Sequence, residues 1–171
     1  MSTKIKLKIP SSLWTAGDSA RVASNTLASI KIRTGKGISA EGIKFQEYSQ
    51  NPLYVSFKGA RLKPKGGRKS RTGKSVYYED GYEQYKHESR NRSKRAKSAN
   101  VDLVLSGQLM NNLVVLDARI DGFTIGLTKH VRHYGYDVNA VRPFLGLTKK
   151  EIDILVQSVA YDISEKLRGR S

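Results

Sequence analysis

Residues 141–155 read VRPFLGLTKKEIDIL and set a rigid, apolar turn directly against the start of a helix. Pro143 fixes its own φ and drives Arg142 toward extended backbone, while Gly146 permits a close approach of the chain. With Phe144, Leu145 and Leu147 supplying apolar bulk, Arg142 to Leu147 form a structural elbow that locks onto a core. Thr148 and Glu151 then have the spacing of a capping box, which satisfies amide donors that a helix start leaves orphaned. Beyond them, residues 149–167 carry Ile152, Leu155, Val156, Val159, Ile163 and Leu167 at steps of three and four, one apolar stripe that ends before Gly169.

Upstream of the elbow the chain is regular. Val114 to Ile120 reads as a strand, Asp121-Gly122 supplies residues suited to a tight turn, and Phe123, Ile125 and Leu127 alternate along a return strand. This predicts a hairpin. Val101 to Leu105 is a short apolar run, and Ser106 is placed to cap a brief helix carrying Leu109, Met110 and Leu113. Lys129 to Asn139 reads as a polar, aromatic connection between the hairpin and the elbow.

At the other end, KIKLKI at 4–9 alternates strictly, Ile5, Leu7 and Ile9 facing one way and three lysines the other. A half-buried strand is expected, followed by a helix capped at Ser11 or Ser12, or starting later at Asp18. Its stripe would run through Leu13, Ala16, Ala20, Ala23, Leu27 and Ile30, and Gly35 and Gly37 would end it. Gly37 to Phe57 shows no clean period. Together these elements predict one α+β domain over 1–171, helices packed on a small antiparallel sheet, with a long basic loop excursion at about 58–98.

That excursion dominates the charge. The chain of 171 residues has 31 Lys plus Arg against 15 Asp plus Glu, a formal +16. Lys58 to Lys97 alone hold 14 basic and 4 acidic residues, a net +10. Residues 63–75 read as loop, with Gly66, Gly67 and Gly73 and almost no apolar side chains, whereas 79–97 have the composition of a polar helix. Tyr77, Tyr78, Tyr82 and Tyr85 are interleaved. Lysines and arginines neutralise phosphates and tyrosines stack on bases, so Lys63, Lys65, Arg68, Lys69, Arg71, Lys74, Arg90, Arg92, Lys94, Arg95 and Lys97 are the candidate partner- or nucleic-acid-binding residues. The same charges suit docking on acidic protein or a merely solvated loop.

Catalytic chemistry is not evident. RTGKS at 71–75 lacks the first glycine of a phosphate-binding loop, because Arg68 stands there. His130 and His133 are three apart, but with distant His87 and no cysteine they make a poor metal set. No G-x-S-x-G elbow presents a serine. The expectation is a protein without catalytic residues, metal or cofactor. The absence of cysteine excludes a disulfide framework, and neither a signal-peptide core nor a run of roughly 18 apolar residues is present, so a soluble, unexported protein is expected.

Three passages together resemble the bacteriophage virion-morphogenesis, or tail-completion, family: GISAEGIKFQEYS at 37–49, VDLVLSGQLMNNLVV at 101–115 and RPFLGLTKKEIDIL at 142–155. Their order and spacing agree with the family over about residues 20–165. The basic excursion and the lysine-rich first strand depart from its pattern. The resemblance implies an α+β domain, a non-enzymatic structural role at the neck of the virion, and assembly into a homo-oligomeric ring. It further implies manufacture in the host cytoplasm and neighbours such as a portal-side connector, a tail terminator or the tail tube, with packaged DNA close by. The other reading of the same charge is a basic nucleic-acid-binding protein that uses the 58–97 segment.

Overall fold

The computed structural model describes residues 2–90, 101–104 and 106–169 and has an α+β architecture of five helices and two small antiparallel sheets. The first sheet holds β1 (Ser2–Lys6), β5 (Leu113–Arg119) and β6 (Gly122–Leu127) in the order β1-β6-β5. Helix α1 (Ala16–Gly35) packs on it, and α5 (Lys149–Arg168) lies antiparallel to α1. Ion pairs fix that alignment, Arg33 to Glu151 at one end and Arg21 to Asp162 and Lys166 to Asp18 at the other. Trp14, Ile30, Leu113, Ile125, Leu127 and Phe144, each at most 1% exposed, form the centre of the core between helices and sheet.

The first strand pairs over 2–6 rather than 4–9, because its partner runs out: Lys6 faces Gly122, the first residue of β6. Leu7 adds one last hydrogen bond, to the carbonyl of Asp121 at 2.7 Å. Ile5, Leu7 and Ile9 still pack against the core as the alternation requires. The hairpin turns at Ile120-Asp121, one residue earlier than Asp-Gly suggests. Gly122, at φ 149°, is needed for another reason: a Cβ there would lie 2.0 Å from the carbonyl oxygen of Ile5.

Helix α1 starts neither at Ser11 nor at Ser12. Thr15 caps it, accepting from the Asp18 amide at 3.2 Å while the Asp18 carboxylate accepts from the Thr15 amide at 2.9 Å. Hydrogen bonds from Lys166 and Thr15 hold the Asp18 carboxyl down to about 2. The expected stripe holds in its second half only: Ala16 and Ala20 are exposed, whereas Ala23 and Ile30 are buried and Leu27 packs against the core. Ser19, Val22, Thr26, Arg33 and Thr34 complete the inward face. Two of the polar members are satisfied locally, Ser19 by the Trp14 indole at 2.8 Å and Thr26 by the Val22 carbonyl at 2.8 Å, so burial does not leave those hydroxyls unpaired.

The basic excursion contains regular structure. Strands β2 (Leu53–Ser56), β3 (Arg68–Lys69) and β4 (Ser75–Tyr78) form the second sheet, ordered β2-β4-β3, and α2 (Gly81–Ser89) covers it. Val76, Tyr78 and Tyr85 make a separate small core with Val55, Leu62 and Tyr82. Thus 63–75, read as loop, includes a short strand; the part of the expected polar helix at 91–97 lies outside the described residues.

Two shorter helices complete the chain. Ser106 is exposed and does not cap α3 (Gln108–Asn111); Gly107, at φ 82°, stands at its N-cap without a side-chain bond. The connection 129–139 is largely helical, forming α4 (Arg132–Val141). Its inner positions are Val131, Gly135, Val138 and Asn139, and a Cβ at Gly135 would meet Leu127 at 1.9 Å. A glycine used as a packing surface hides an amphipathic period from any count of bulky apolar residues.

Candidate functional site

The elbow is held from three directions. Phe144 is fully buried, and the side-chain oxygen of Asn139 accepts from the amides of Phe144 and Leu145 at 3.0 and 2.9 Å. Arg33 donates to the carbonyls of Phe144 at 2.6 Å and Gly146 at 3.2 Å and pairs with Glu151. The carboxylate oxygen of Glu151 that meets Arg33 also accepts from the Thr148 amide at 2.8 Å, so one oxygen caps α5 and anchors α1 to it. Pro143 accepts from the Ala40 amide at 2.7 Å, and Arg142 donates to the carbonyls of Gln46 and Glu47 at 3.0 and 2.9 Å. The segment 37–49 is thereby tied to 142–147.

Lys63, Lys65, Arg68, Lys69, Arg71 and Lys74 are all exposed on β3 and its flanking turns. None has an ion-pair partner among the described residues, and Arg68 lies over the Tyr77 ring at 5.1 Å. Arg90 does not join them: it is largely buried and donates to Asp102 at 2.9 Å. Arg92, Lys94, Arg95 and Lys97 lie outside the described residues. No group of three or more histidines and carboxylates able to hold a metal occurs among the described residues, and no helix there is long and apolar enough to cross a membrane.

Where the two sheets' lobes meet, a cleft of about 300 Å³ opens between Tyr48, Tyr82, Leu103, Tyr134, Val138 and Arg142. Sequence reading missed it, because its walls come from separate segments and Tyr48 and Tyr134 stood in stretches without a clean pattern. Behind it, Lys86 donates to both Asp102 and the Tyr48 hydroxyl, and the Asp102 carboxylate also accepts from the Val104 amide at 3.0 Å. Leu103, next in the chain, has φ 50°, an unusual conformation for a branched side chain and one that this tightly bound turn imposes. Arg61 crosses from the smaller lobe to cover the Tyr134 ring at 3.4 Å.

Burial sets the protonation of these groups. It lowers Lys86 from 10.5 to about 8, only partly offset by the hydrogen bond to Asp102, and it pushes Tyr82 from 10.0 to about 12. Burial alone would raise Asp102, but the Lys86 hydrogen bond and its other donors hold that carboxyl below the usual value. Between about pH 8 and 10.5 the unfolded chain therefore binds a proton at Lys86 that the folded chain has released, and stability rises with pH. Above the ordinary phenol value of 10.0 the sign reverses, since burial raises Tyr48, Tyr78, Tyr82 and Tyr85 and the folded chain keeps protons that the unfolded chain loses. Urea unfolding should show a gain on the order of 1–2 kcal/mol from pH 8 toward 10 and a fall beyond it. Lys86→Met should remove the rise; a rise of the same size in that variant would assign it to other groups.

Comparison with known protein families, characterised proteins and solved structures finds no match to this chain.

Proposed function

We propose that the chain is a structural virion protein of a tailed bacteriophage, joining head and tail at the neck as one subunit of a tail-completion or connector ring. The observation that carries this reading is the junction. The three passages that resemble the tail-completion family lie far apart in sequence, yet they pack together: Arg142 holds Gln46 and Glu47, Pro143 holds Ala40, and Lys86 links Tyr48 to Asp102. Segments that share one structural task are expected to vary as a unit, which fits a family pattern rather than three chance likenesses. Helix α5 supports a role in assembly, since Ile152, Ile154, Val156, Tyr161 and Leu167 are 46–64% exposed, and such apolar surface is characteristic of a subunit that meets neighbours. Its neighbours would be the portal-side connector and the tail terminator or tail tube, near packaged DNA.

Deleting the coding sequence from the phage genome and imaging the lysate tests this directly. Separate filled heads and finished tails are expected; intact joined particles would overturn the proposal.

A second reading, nucleic-acid binding through the smaller lobe, is favoured by six exposed basic side chains that no carboxylate among the described residues pairs with. Replacing Lys63, Lys65, Arg68, Lys69, Arg71 and Lys74 by glutamine should leave stability within about 1 kcal/mol, because none belongs to a core. The neck reading expects impaired head-tail joining in this variant. The second reading expects the parent chain to bind duplex DNA without sequence preference, its affinity falling by roughly 0.9 logarithmic units per logarithmic unit of salt for each phosphate contact, and the variant to lose that binding. Unimpaired joining together with an unchanged, salt-insensitive DNA affinity would exclude both uses of the face.

A further inference from the structure

The cleft between the lobes collects hydrogen-bond donors that nothing among the described residues uses. Tyr82 and Tyr134 line it, and their hydroxyls have no hydrogen-bond partner among the described residues. The Tyr82 hydroxyl lies within electrostatic reach of Tyr134, Arg142 and Arg61. Among the described residues, Arg142 spends Nε and one terminal nitrogen on backbone carbonyls and has its other terminal nitrogen left over, and Arg61 is held by ring stacking alone. Acceptors are scarce, because the Tyr48 oxygen already takes the Lys86 proton and Asp102 is occupied by Lys86, Arg90 and the Val104 amide. Around it stand the cationic groups Arg61, Lys86, Arg90 and Arg142, and the carboxylate paired with two of them is the single Asp102, so the field in the cleft favours an anion. Leu103 and Val138 supply an apolar wall beside the donors.

We propose that this cleft is a docking site for a carboxylate carried beside an apolar side chain, on an extended acidic segment of a partner protein. Charge selects an anion, and the occupied ring faces select against a nucleobase. Lys86 and Arg142 lie 4.2 and 4.9 Å from the Tyr48 ring centre, and Arg61 covers Tyr134, so stacking would first have to displace a cation. A volume of about 300 Å³ holds one or two side chains, the anchor of a peptide rather than a folded domain. Two phenols and the Arg142 guanidinium, with Arg61 stacked on the Tyr134 wall, offer a carboxylate neutral and charge-assisted hydrogen bonds together. The site rests on the residues of the cleft and is independent of the reading of the chain as a neck protein.

Titration of the isotopically labelled chain followed by NMR tests the proposal with four defined probes. These are N-acetyl-Gly-Leu-Glu-Leu-Gly-amide, the same peptide with Gln for Glu, that Gln peptide with a free C-terminus, and a short oligothymidylate. The Glu peptide should shift the signals of Tyr82, Leu103, Tyr134 and Arg142 saturably, and the neutral Gln amide should not. The Gln peptide with a free C-terminus separates a terminal from a side-chain carboxylate as the anchor. Tyr82→Phe/Tyr134→Phe removes two hydroxyls that bond nothing among the described residues, and Arg61→Gln removes a guanidinium together with its stacking on Tyr134; each should weaken binding about tenfold, as expected for the loss of hydrogen bonds to a charged group. Lys4→Gln/Lys6→Gln removes two charges elsewhere and should bind like the parent. The idea is overturned if no carboxylate peptide shifts the cleft signals, if the neutral peptide binds equally, or if loss of Lys4 and Lys6 weakens binding as much as loss of Arg61. Saturation of the cleft by oligothymidylate at lower concentration than by either carboxylate peptide would also overturn it, assigning the donors to phosphate.

Discussion

Replacing Phe144 by alanine should lower the unfolding free energy by about 3–5 kcal/mol, among the largest effects expected of a single apolar truncation here. The ring is 0% exposed, and the backbone around it cannot easily relax into the space left behind. Asn139 fixes the amides of residues 144 and 145, Arg33 the carbonyls of 144 and 146, and Ala40 the carbonyl of 143. A clamped backbone keeps the cavity open, which places the cost toward the upper part of the range. Urea unfolding monitored by circular dichroism measures it. A change under about 1 kcal/mol would mean that neighbouring side chains collapse into the site and that the clamps are weaker than their geometry implies.

Arg33→Met should cost a similar amount, about 3–5 kcal/mol, for a different reason. Its side chain is 7% exposed and its partner Glu151 12%, so truncation leaves a buried carboxylate and two carbonyls without their donor. The methionine replaces most of the apolar stem, which isolates the polar loss from a packing loss. A double-mutant cycle with Glu151→Gln separates the pair from its surroundings. The combined variant should be less destabilised than the sum of the two single changes, because the second substitution removes the charge that the first one orphaned. Strict additivity would show that the two side chains act through the backbone independently.

Local grammar was legible in the sequence where it was complete within a few residues. Thr148 and Glu151 announced α5, and the alternation before and after Asp121 announced the hairpin. Thr15 and Asp18 obey the same capping rule, but two earlier serines after Pro10 offered equally good starts, and only the depth of Trp14 decides between them. Nothing local marks Arg33, Lys86 or Arg90, the last expected to bind a partner, as paired and buried, because the carboxylates they meet are remote: Glu151 is 118 residues from Arg33, and Asp102 is 16 from Lys86 and 12 from Arg90. Burial of a charge is decided by a partner that three-dimensional packing supplies, and no window along the chain contains that information. The cleft was invisible on the same ground, since its tyrosines are individually ordinary and become a site only through the meeting of two lobes. The exposed basic face, in contrast, needed no partner to be recognised.

The position of β1 at the sheet edge bears on how the protein comes into being. Its partner is β6, which begins at Gly122, so β1 waits for a strand made more than a hundred residues later. During that interval on the ribosome Ile5, Leu7 and Ile9 are uncovered, and closing so long a chain segment is among the slower events of folding. Lys4, Lys6 and Lys8 alternate with them and make an unpaired strand repel another nascent copy of itself. The alternating lysines of this edge strand thus protect the protein before it is folded, in a period when its own sheet does not yet exist.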